Sequence, residues 1–380
     1  MANLSVIVDG LKLPNPFVIG SGPPGTNANV IAKAFDDGWG AVIAKTISLD
    51  ASKVVNVAPR YARMRAAGTS EVIGWQNIEL ISDRPFDTWI DEFKAIKARY
   101  PDRILIASIM EEYAKERWIE IVERCDRAGV DAFELNFSCP HGLPERRMGS
   151  AMGQDPDILG EVCGWVRHAT SKPAWAKMTP NITHIVDPAR AALAGGSTGI
   201  SAINTILCVM SVNLDTLRPE PTVEGYSTPG GYSCKAVRPI ALRMVMECAQ
   251  MMGHEFPDRS LSGIGGIETG EDAAQFILLG AHTVQVCTGV MIHGYKMVHD
   301  LCTGLAAFMD KHGFATVDAF RGKSLPYFTT HSDLVARQAA AKKTDHSRVA
   351  AAQKEGVVKR DADWSGDRFV EQSSKLVAND

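Results

Sequence analysis

Asn136, Ser138 and Cys139 crowd the end of an apolar run, in the string Asn-Phe-Ser-Cys-Pro-His-Gly. They bring an amide, a hydroxyl and a thiol to one point. A thiol titrates within reach of neutral pH and can act there as an acid or a base. A cysteine met alone is more often a small packed residue. Lys45 and Lys177 close two other apolar runs. An ammonium in such a place can neutralise an electron-rich cofactor or a phosphate, or simply pair with a carboxylate. Asn204-Thr205 ends a further run in the same fashion. Gly230-Gly231-Tyr232-Ser233, Gly265-Gly266 and Cys287-Thr288-Gly289 complete the set of small polar elements. Glycine with Ser or Thr ahead of a helix offers backbone N–H groups to a phosphate. One Gly-Gly is usually a turn; three such elements in the last third of one chain form a pattern.

These residues need strands that end at a common place. Eight short apolar runs supply them: 17–20, 41–46, 104–109, 131–136, 173–178, 200–204, 260–263 and 283–287. Amphipathic stretches with helical spacing lie between, at 114–128, 157–169, 185–194, 239–252 and 271–279. Strand–helix alternation implies parallel strands joined by right-handed crossovers. Eight repeats predict a closed (β/α)₈ TIM barrel, with an open doubly wound sheet as the alternative. No G-x-G-x-x-G turn opens a helix here, as such an open sheet usually has. Ser-Val-Ile-Val, Asp9-Gly10 and Leu-Lys-Leu predict an N-terminal β-hairpin. Two connections, 48–86 and 206–237, are longer than barrel loops usually are, and both follow strand C-termini, the catalytic face of a barrel. The glycine-punctuated segment 142–153 reads as a mobile loop over that face. We expect a barrel domain over 1–325 and a C-terminal extension over 326–380, poor in large apolar residues. A helix is expected at 332–354. The extension is expected to wrap the barrel or a partner subunit.

Composition narrows the class. The chain has 380 residues, 45% apolar and 22% charged, with a formal net charge of -4. That balance gives no reason to expect nucleic acid or an anionic membrane surface as partner. No run approaches the roughly 18 apolar residues of a membrane span. The opening residues lack the basic and apolar regions of a signal peptide, so a cytoplasmic location is expected. Eight cysteines are scattered with no C-x-x-C anywhere. That spacing offers no zinc ribbon, thioredoxin motif or ferredoxin run.

Taken in order, Glu-Leu-Asn-Phe-Ser-Cys-Pro-His-Gly (134–142), Ala-Lys-Met-Thr-Pro-Asn (176–181), Ile-Asn-Thr (203–205), Gly-Gly-Tyr-Ser (230–233), Gly-Ile-Gly-Gly-Ile (263–267) and Val-Gln-Val-Cys-Thr-Gly (284–289) resemble the flavin domain of dihydropyrimidine dehydrogenase. The likeness includes its bacterial pyrimidine-reducing subunit, and the domain is closely related to dihydroorotate dehydrogenase. The resemblance extends over about residues 3–325 and includes the earlier strings at 21–26, 44–46 and 76–82. It implies an FMN-dependent barrel that reduces the 5,6 double bond of uracil and thymine, or oxidises the dihydropyrimidine. It implies FMN contacts at Gly20, Ser21, Lys45, Thr46, Lys177, Gly231, Ser233, Gly265, Gly266, Cys287 and Thr288. It implies a pyrimidine held by Asn77, Asn136, Ser138, Asn204 and Thr205. Cys139 is implied as the general acid, with Lys177 stabilising the cofactor's negative charge.

The chain departs from that pattern in three places. Members of the family pass electrons through iron–sulfur clusters on flanking segments or a partner chain, and the scattered cysteines here provide no cluster site. An electron-transfer subunit or a soluble redox partner is therefore expected, in a homodimer or hetero-oligomer. Cys234 stands where another glycine is expected, a costly choice if that position needs positive φ. The long segment 48–86 brings Trp75, Gln76 and Asn77, with Arg60, Arg63 and Arg65 near in sequence, so orotate remains an alternative substrate. The same residues would also suit a flavin-binding subunit of a larger redox complex, or a flavin-free barrel acting on a phosphorylated substrate.

Overall fold

The computed structural model describes residues 2–51, 54–138 and 148–343, with the backbone alone at 341–343. Cys139, the implied general acid, and most of the segment expected to form a mobile loop lie outside the described residues. Met1–Leu325 and Pro326–Asp380 form two compact units.

The first unit opens with the antiparallel hairpin β1 (Val6–Val8) and β2 (Leu11–Leu13), turned by Asp9-Gly10. Both turn residues have positive φ, 47° and 83°, as a two-residue hairpin turn requires. Strands β3 (Phe17–Ile19) and β4 (Ala41–Ile43) begin the barrel. Next come β5 (Tyr61–Arg65) and β6 (Val72–Asn77), outside it. The barrel resumes with β7 (Ile104–Ile109), β8 (Ala132–Asn136), β9 (Ala174–Lys177) and β10 (Gly199–Ala202). Four short strands follow: β11 (Ile206–Cys208), β12 (Ser211–Asn213), β13 (Arg218–Glu220) and β14 (Gly230–Ser233). Strands β15 (Ser260–Ile264) and β16 (Thr283–Val286) close the ring in the order β10-β15-β16-β3-β4-β7-β8-β9. All eight expected barrel strands are present, and every pairing in the ring is parallel.

The expected helices surround this ring. Helix α1 (Ala28–Asp37) is capped by Asn27 and ends at Gly38 in the left-handed conformation. Helices α2 (Phe86–Arg99) and α3 (Lys115–Arg127) follow. Helix α3 buries Trp118, Ile121, Val122 and Cys125, a spacing that puts one apolar stripe against the barrel. After the short α4 (Ser150–Gly153) come α5 (Pro156–Ala169), with Asp155 as N-cap and proline in the first turn, and α6 (Val186–Ala194). The end of the segment 142–153 is packed: Met152 is buried, and the Gly153 backbone lies so close to the Phe137 carbonyl that a Cβ there would clash. Helices α7 (Arg238–Glu255), α8 (Gly270–Leu278), α9 (Thr288–His293) and α10 (Met297–His312) complete the unit. In the second unit the described residues form α11 (His331–Lys343); the rest of the helix expected to 354 lies outside the described residues.

The two ends of the barrel differ. At the N-terminal end, the Asp9 carboxylate of the hairpin accepts from Trp175 Nε1 (2.5 Å) and Ser260 Oγ (2.6 Å), at the starts of β9 and β15. Burial raises the Asp9 pKa, against the opposing pull of these donors. At the C-terminal end, the two long insertions meet. They form one antiparallel sheet in the order β11-β14-β6-β5. Asn77 pairs with Gly231 and Trp75 with Ser233 across it.

Candidate active site

The strand ends converge on one cavity, about 1190 Å³ counting its open mouth. From the barrel, Ser21, Lys45, Thr46, Asn136, Lys177, Asn204 and Thr205 line it. Gly265, Gly266, Cys287 and Thr288 line another part of its wall, and the insertion sheet contributes Tyr61, Trp75, Asn77, Tyr232 and Ser233. Most residues singled out in the sequence therefore face one space. Gly20, Gly231 and Ser138 do not line it; all three are buried beside residues that do.

A hydrogen-bonded ring sets the orientation of the amides. Ser138 donates twice to Asn136 Oδ1, from its backbone N–H and its hydroxyl, both at 3.1 Å. Asn136 Nδ2 donates to Thr46 Oγ1 at 2.9 Å. Both acceptor positions of Asn136 Oδ1 are thus filled, and one N–H is left for a ligand. Asn204 donates to the Ser138 hydroxyl and accepts from the Thr205 N–H at 2.7 Å. Thr46 Oγ1 also meets Ser108 Oγ at 2.8 Å and Ser21 Oγ at 3.1 Å. Asn77 Nδ2 donates to the Gly231 carbonyl at 3.2 Å, which leaves its oxygen as an acceptor. The site can thus offer donors and acceptors in fixed directions to a small polar ring.

Two buried cations occupy this site, and each has a carboxylate. Lys45 Nζ lies 3.0 Å from Glu79 Oε1, which also receives Arg60 at 3.0 Å. Tyr61 donates to the second oxygen of Glu79 at 2.9 Å. Burial, with Glu79 adding to it, pushes the Tyr61 phenol well above its usual pKa, so it stays a donor. Lys177 Nζ lies 3.1 Å from Glu134 Oε1, inside the barrel. Burial lifts the Cys287 thiol to about 11, against the opposing pull of Lys177 and Lys45. It is therefore a neutral wall of the cavity near pH 7, packed so tightly that a Cβ on Gly22 would stand 2.5 Å from its sulfur.

The three glycine-containing loops also meet. Ser233 Oγ and Thr288 Oγ1 are 2.8 Å apart. Gly266 has φ 74°, and a Cβ there would lie 2.9 Å from Cys234 O and Lys235 Cα. No side chain fits without moving backbone. Cys234 itself takes φ 81° and ψ -172°, so the cost anticipated at that position is real. Its loop still reaches the cavity, because Ser233 and Cys234 both line it.

Glu79, Tyr61, Glu134 and Gln285 were not singled out in the sequence. Two of them carried a signal. Trp75, Asn77 and Glu79 alternate, and all three line the cavity; two-residue periodicity from Asn77 leads to Glu79. Glu134 is a charged residue inside an apolar strand run, on the same face as Asn136. Tyr61 reaches the site only through a sheet assembled from two distant insertions. Gln285 stands among apolar strand residues with nothing local to mark it.

This arrangement fits a planar, electron-rich group with a phosphate tail. Two ammonium groups provide positive charge, and the glycine loops form a cradle that side chains would fill. Gln285 lines the cavity, and its buried acceptor Oε1 has no hydrogen-bond partner among the described residues. Such a fold and site define a barrel enzyme that works through a bound redox cofactor. The chain belongs to the dihydroorotate dehydrogenase family, whose model matches residues 3–309. It is 63% identical to the chloroplastic NADP(+) dihydropyrimidine dehydrogenase of Arabidopsis thaliana, over 99% of this chain and 88% of that protein. It is 42% identical to the PreA subunit of the NAD-dependent dihydropyrimidine dehydrogenase of Escherichia coli K12, over 84% of this chain and 76% of that protein. It is 31% identical to the catalytic subunit of dihydroorotate dehydrogenase B from Pyrococcus abyssi, over 85% of this chain and 99% of that protein. The crystal structure of the Eimeria tenella dihydroorotate dehydrogenase shares the fold, with a TM-score of 0.68 at 22% identity, covering 85% of this chain and 88% of that one. The resemblance read from the motifs is borne out.

Proposed function

We propose that this chain is an FMN-dependent oxidoreductase that interconverts uracil or thymine and their 5,6-dihydro forms. The observation that carries this reading is the convergence of Asn77, Asn136 and Asn204 with Lys45 and Lys177 on one cavity beside the glycine cradle. Amides suit a pyrimidine edge, because its carbonyls and N–H groups alternate and an amide offers both partners. The high identity to the Arabidopsis dihydropyrimidine dehydrogenase supports the same substrate class.

FMN, when bound, supplies the hydride that joins C6 of the ring. The chain's own residues do the rest. Gly265, Gly266, Ser233 and Thr288 would hold its phosphate, and Lys177 and Lys45 would offset its negative charge. Asn136 gives its free N–H to a ring carbonyl, and Asn77 gives its oxygen to a ring N–H. Cys139 delivers a proton to C5, which completes addition of a hydride and a proton across the double bond. No arginine lines the cavity among the described residues. Arg60 is held by Glu79, and Arg63 lies 5.7 Å over the Trp75 ring. These placements favour an uncharged pyrimidine over the carboxylate of orotate.

Electrons reach the site from a separate subunit or a soluble carrier. The E. coli and Pyrococcus relatives are both named as subunits, which supports a hetero-oligomer. Among the described residues no helix is long and apolar enough to cross a membrane. We assign a reducing compartment, the cytoplasm, on the cysteines that are unpaired among the described residues; the Arabidopsis relative is chloroplastic.

The test is anaerobic. The purified, FMN-loaded chain is reduced, and uracil, thymine or orotate is added separately. Rapid reoxidation of the flavin by uracil or thymine is expected; reoxidation by orotate alone would overturn the substrate assignment. Cys139→Ala should bind FMN normally and lose pyrimidine reduction, and undiminished turnover would remove Cys139 from the mechanism.

A further inference from the structure

Glu134 is fully buried in the barrel interior and does not line the cavity. Its two oxygens are both engaged. Oε1 lies 3.1 Å from Lys177 Nζ, and Oε2 accepts from Gln285 Nε2 at 2.8 Å. The same Gln285 nitrogen lies 3.1 Å from Ser201 Oγ and 3.3 Å from Ser262 Oγ. Glu134 is thus bonded to two residues that do line the cavity, while touching none of its space.

The other lysine is arranged differently. Lys45 is paired with Glu79, which itself lines the cavity and can meet a ligand directly. Glu134 can act only through Lys177 and Gln285. The β8–β9 register places Asn136 opposite Lys177 and Glu134 opposite Trp175. The carboxylate therefore sits one pleat below the ammonium, on the side away from the cavity mouth. A buried charge is costly without a counter-ion beside it. The carboxylate supplies one from behind, while Lys177 itself lines the cavity.

We propose that Glu134 is a positioning residue that holds the Lys177 ammonium in its place at the cavity, and so sets how readily the bound flavin accepts electrons. This rests on the flavin reading above. Without the carboxylate, the ammonium loses the anion that anchors it from below, and the positive charge that favours the reduced cofactor is no longer held in place.

The experiment measures the two-electron midpoint potential of bound FMN, by spectroscopic redox titration at one fixed pH. It compares the native chain with Glu134→Gln, Lys177→Met and the double variant. FMN content is measured first, from the absorbance of released flavin. Glu134→Gln is expected to shift the potential by an amount that differs between the native and Lys177→Met backgrounds by at least about tenfold in the oxidised-to-reduced ratio, about 30 mV for a two-electron couple, because the coupling runs through that lysine. The same shift in both backgrounds would overturn the proposal. Should Glu134→Gln fail to fold, Glu134→Asp carries the comparison. It keeps the charge but pulls the ammonium back, so the potential should fall with Lys177 present and stay put without it. An equal shift in both backgrounds would again count against the proposal. A native chain that takes up no FMN removes the flavin reading, and this proposal with it.

Discussion

Replacing Ser138 with alanine removes one oxygen that joins two of the asparagines facing the cavity. Two ideas about that oxygen predict different numbers. If it binds substrate directly, as the family resemblance implies, its loss leaves a ligand group unpaired, and kcat/KM should fall by a hundredfold or more. The structure gives it other work, donating to Asn136 Oδ1 at 3.1 Å and accepting from Asn204 Nδ2. In Ser138→Ala, Asn136 keeps its bonds from the Ser138 N–H and to Thr46. Asn204 keeps only the Thr205 N–H, at 2.7 Å. A neutral hydrogen bond contributes about 1 kcal/mol net. Two lost bonds therefore cost about 2 kcal/mol of stability. The one bond left to Asn204 still favours its native orientation by about five to one, taking about 1 kcal/mol for it. Most molecules remain competent, so kcat/KM for uracil should fall only a few-fold. The assay is a urea unfolding curve of the FMN-loaded chain beside steady-state kinetics. A hundredfold loss of kcat/KM with an unchanged urea midpoint would put the hydroxyl on the substrate and refute the reasoning.

Two further substitutions test the frame around the site. Burial, helped by Arg321, lowers the His282 pKa to about 4 from its usual 6.5, while the ring accepts from the Leu261 N–H at 3.1 Å. The unfolded chain takes up this proton first as pH falls. The stability held by the neutral ring is therefore complete above about pH 6.5 and is lost toward pH 4, by about 2 kcal/mol at pH 5. His282→Asn keeps an acceptor and removes the titration, so the native urea midpoint should drop more than the variant's between pH 7.5 and pH 5; equal drops would sink this account. At Cys234, φ 81° and ψ -172° cost on the order of 1–3 kcal/mol for a residue with a Cβ. Glycine relieves that but loses a buried side chain and gains unfolded-state entropy, so Cys234→Gly should lie within about 1 kcal/mol of native. Cys234→Val should be destabilised by at least about 2 kcal/mol, and a urea curve showing valine as stable as glycine would rule out backbone strain there.

Which parts could be read in the sequence follows from how each is stabilised. Parallel barrel strands are covered on both faces, so they appear as short continuous apolar runs, and all eight could be located. The residues at their C-terminal ends stand out because polar groups there interrupt such runs. The sheet over the cavity has no such signature. Strand β5 is Tyr-Ala-Arg-Met-Arg, with its last three residues exposed, and β11 and β14 have three and four residues. What fixes them is pairing between insertions, such as Asn77 to Gly231 across 154 positions, which local pattern cannot carry. Tyr61 was invisible for that reason. Glu134 was legible only in part, for a different reason. A carboxylate inside an apolar strand is visibly anomalous, but the sequence does not say which cation balances it. Lys45 and Lys177 both end barrel strands, and either could have been its partner. The β8–β9 register decides, by setting Lys177 one pleat above Glu134 and leaving Lys45 to Glu79. The two lysines, alike in sequence, thus acquire unlike counter-ions: one open to the ligand and one sealed behind it. That difference gives the barrel interior a part in the chemistry at its mouth.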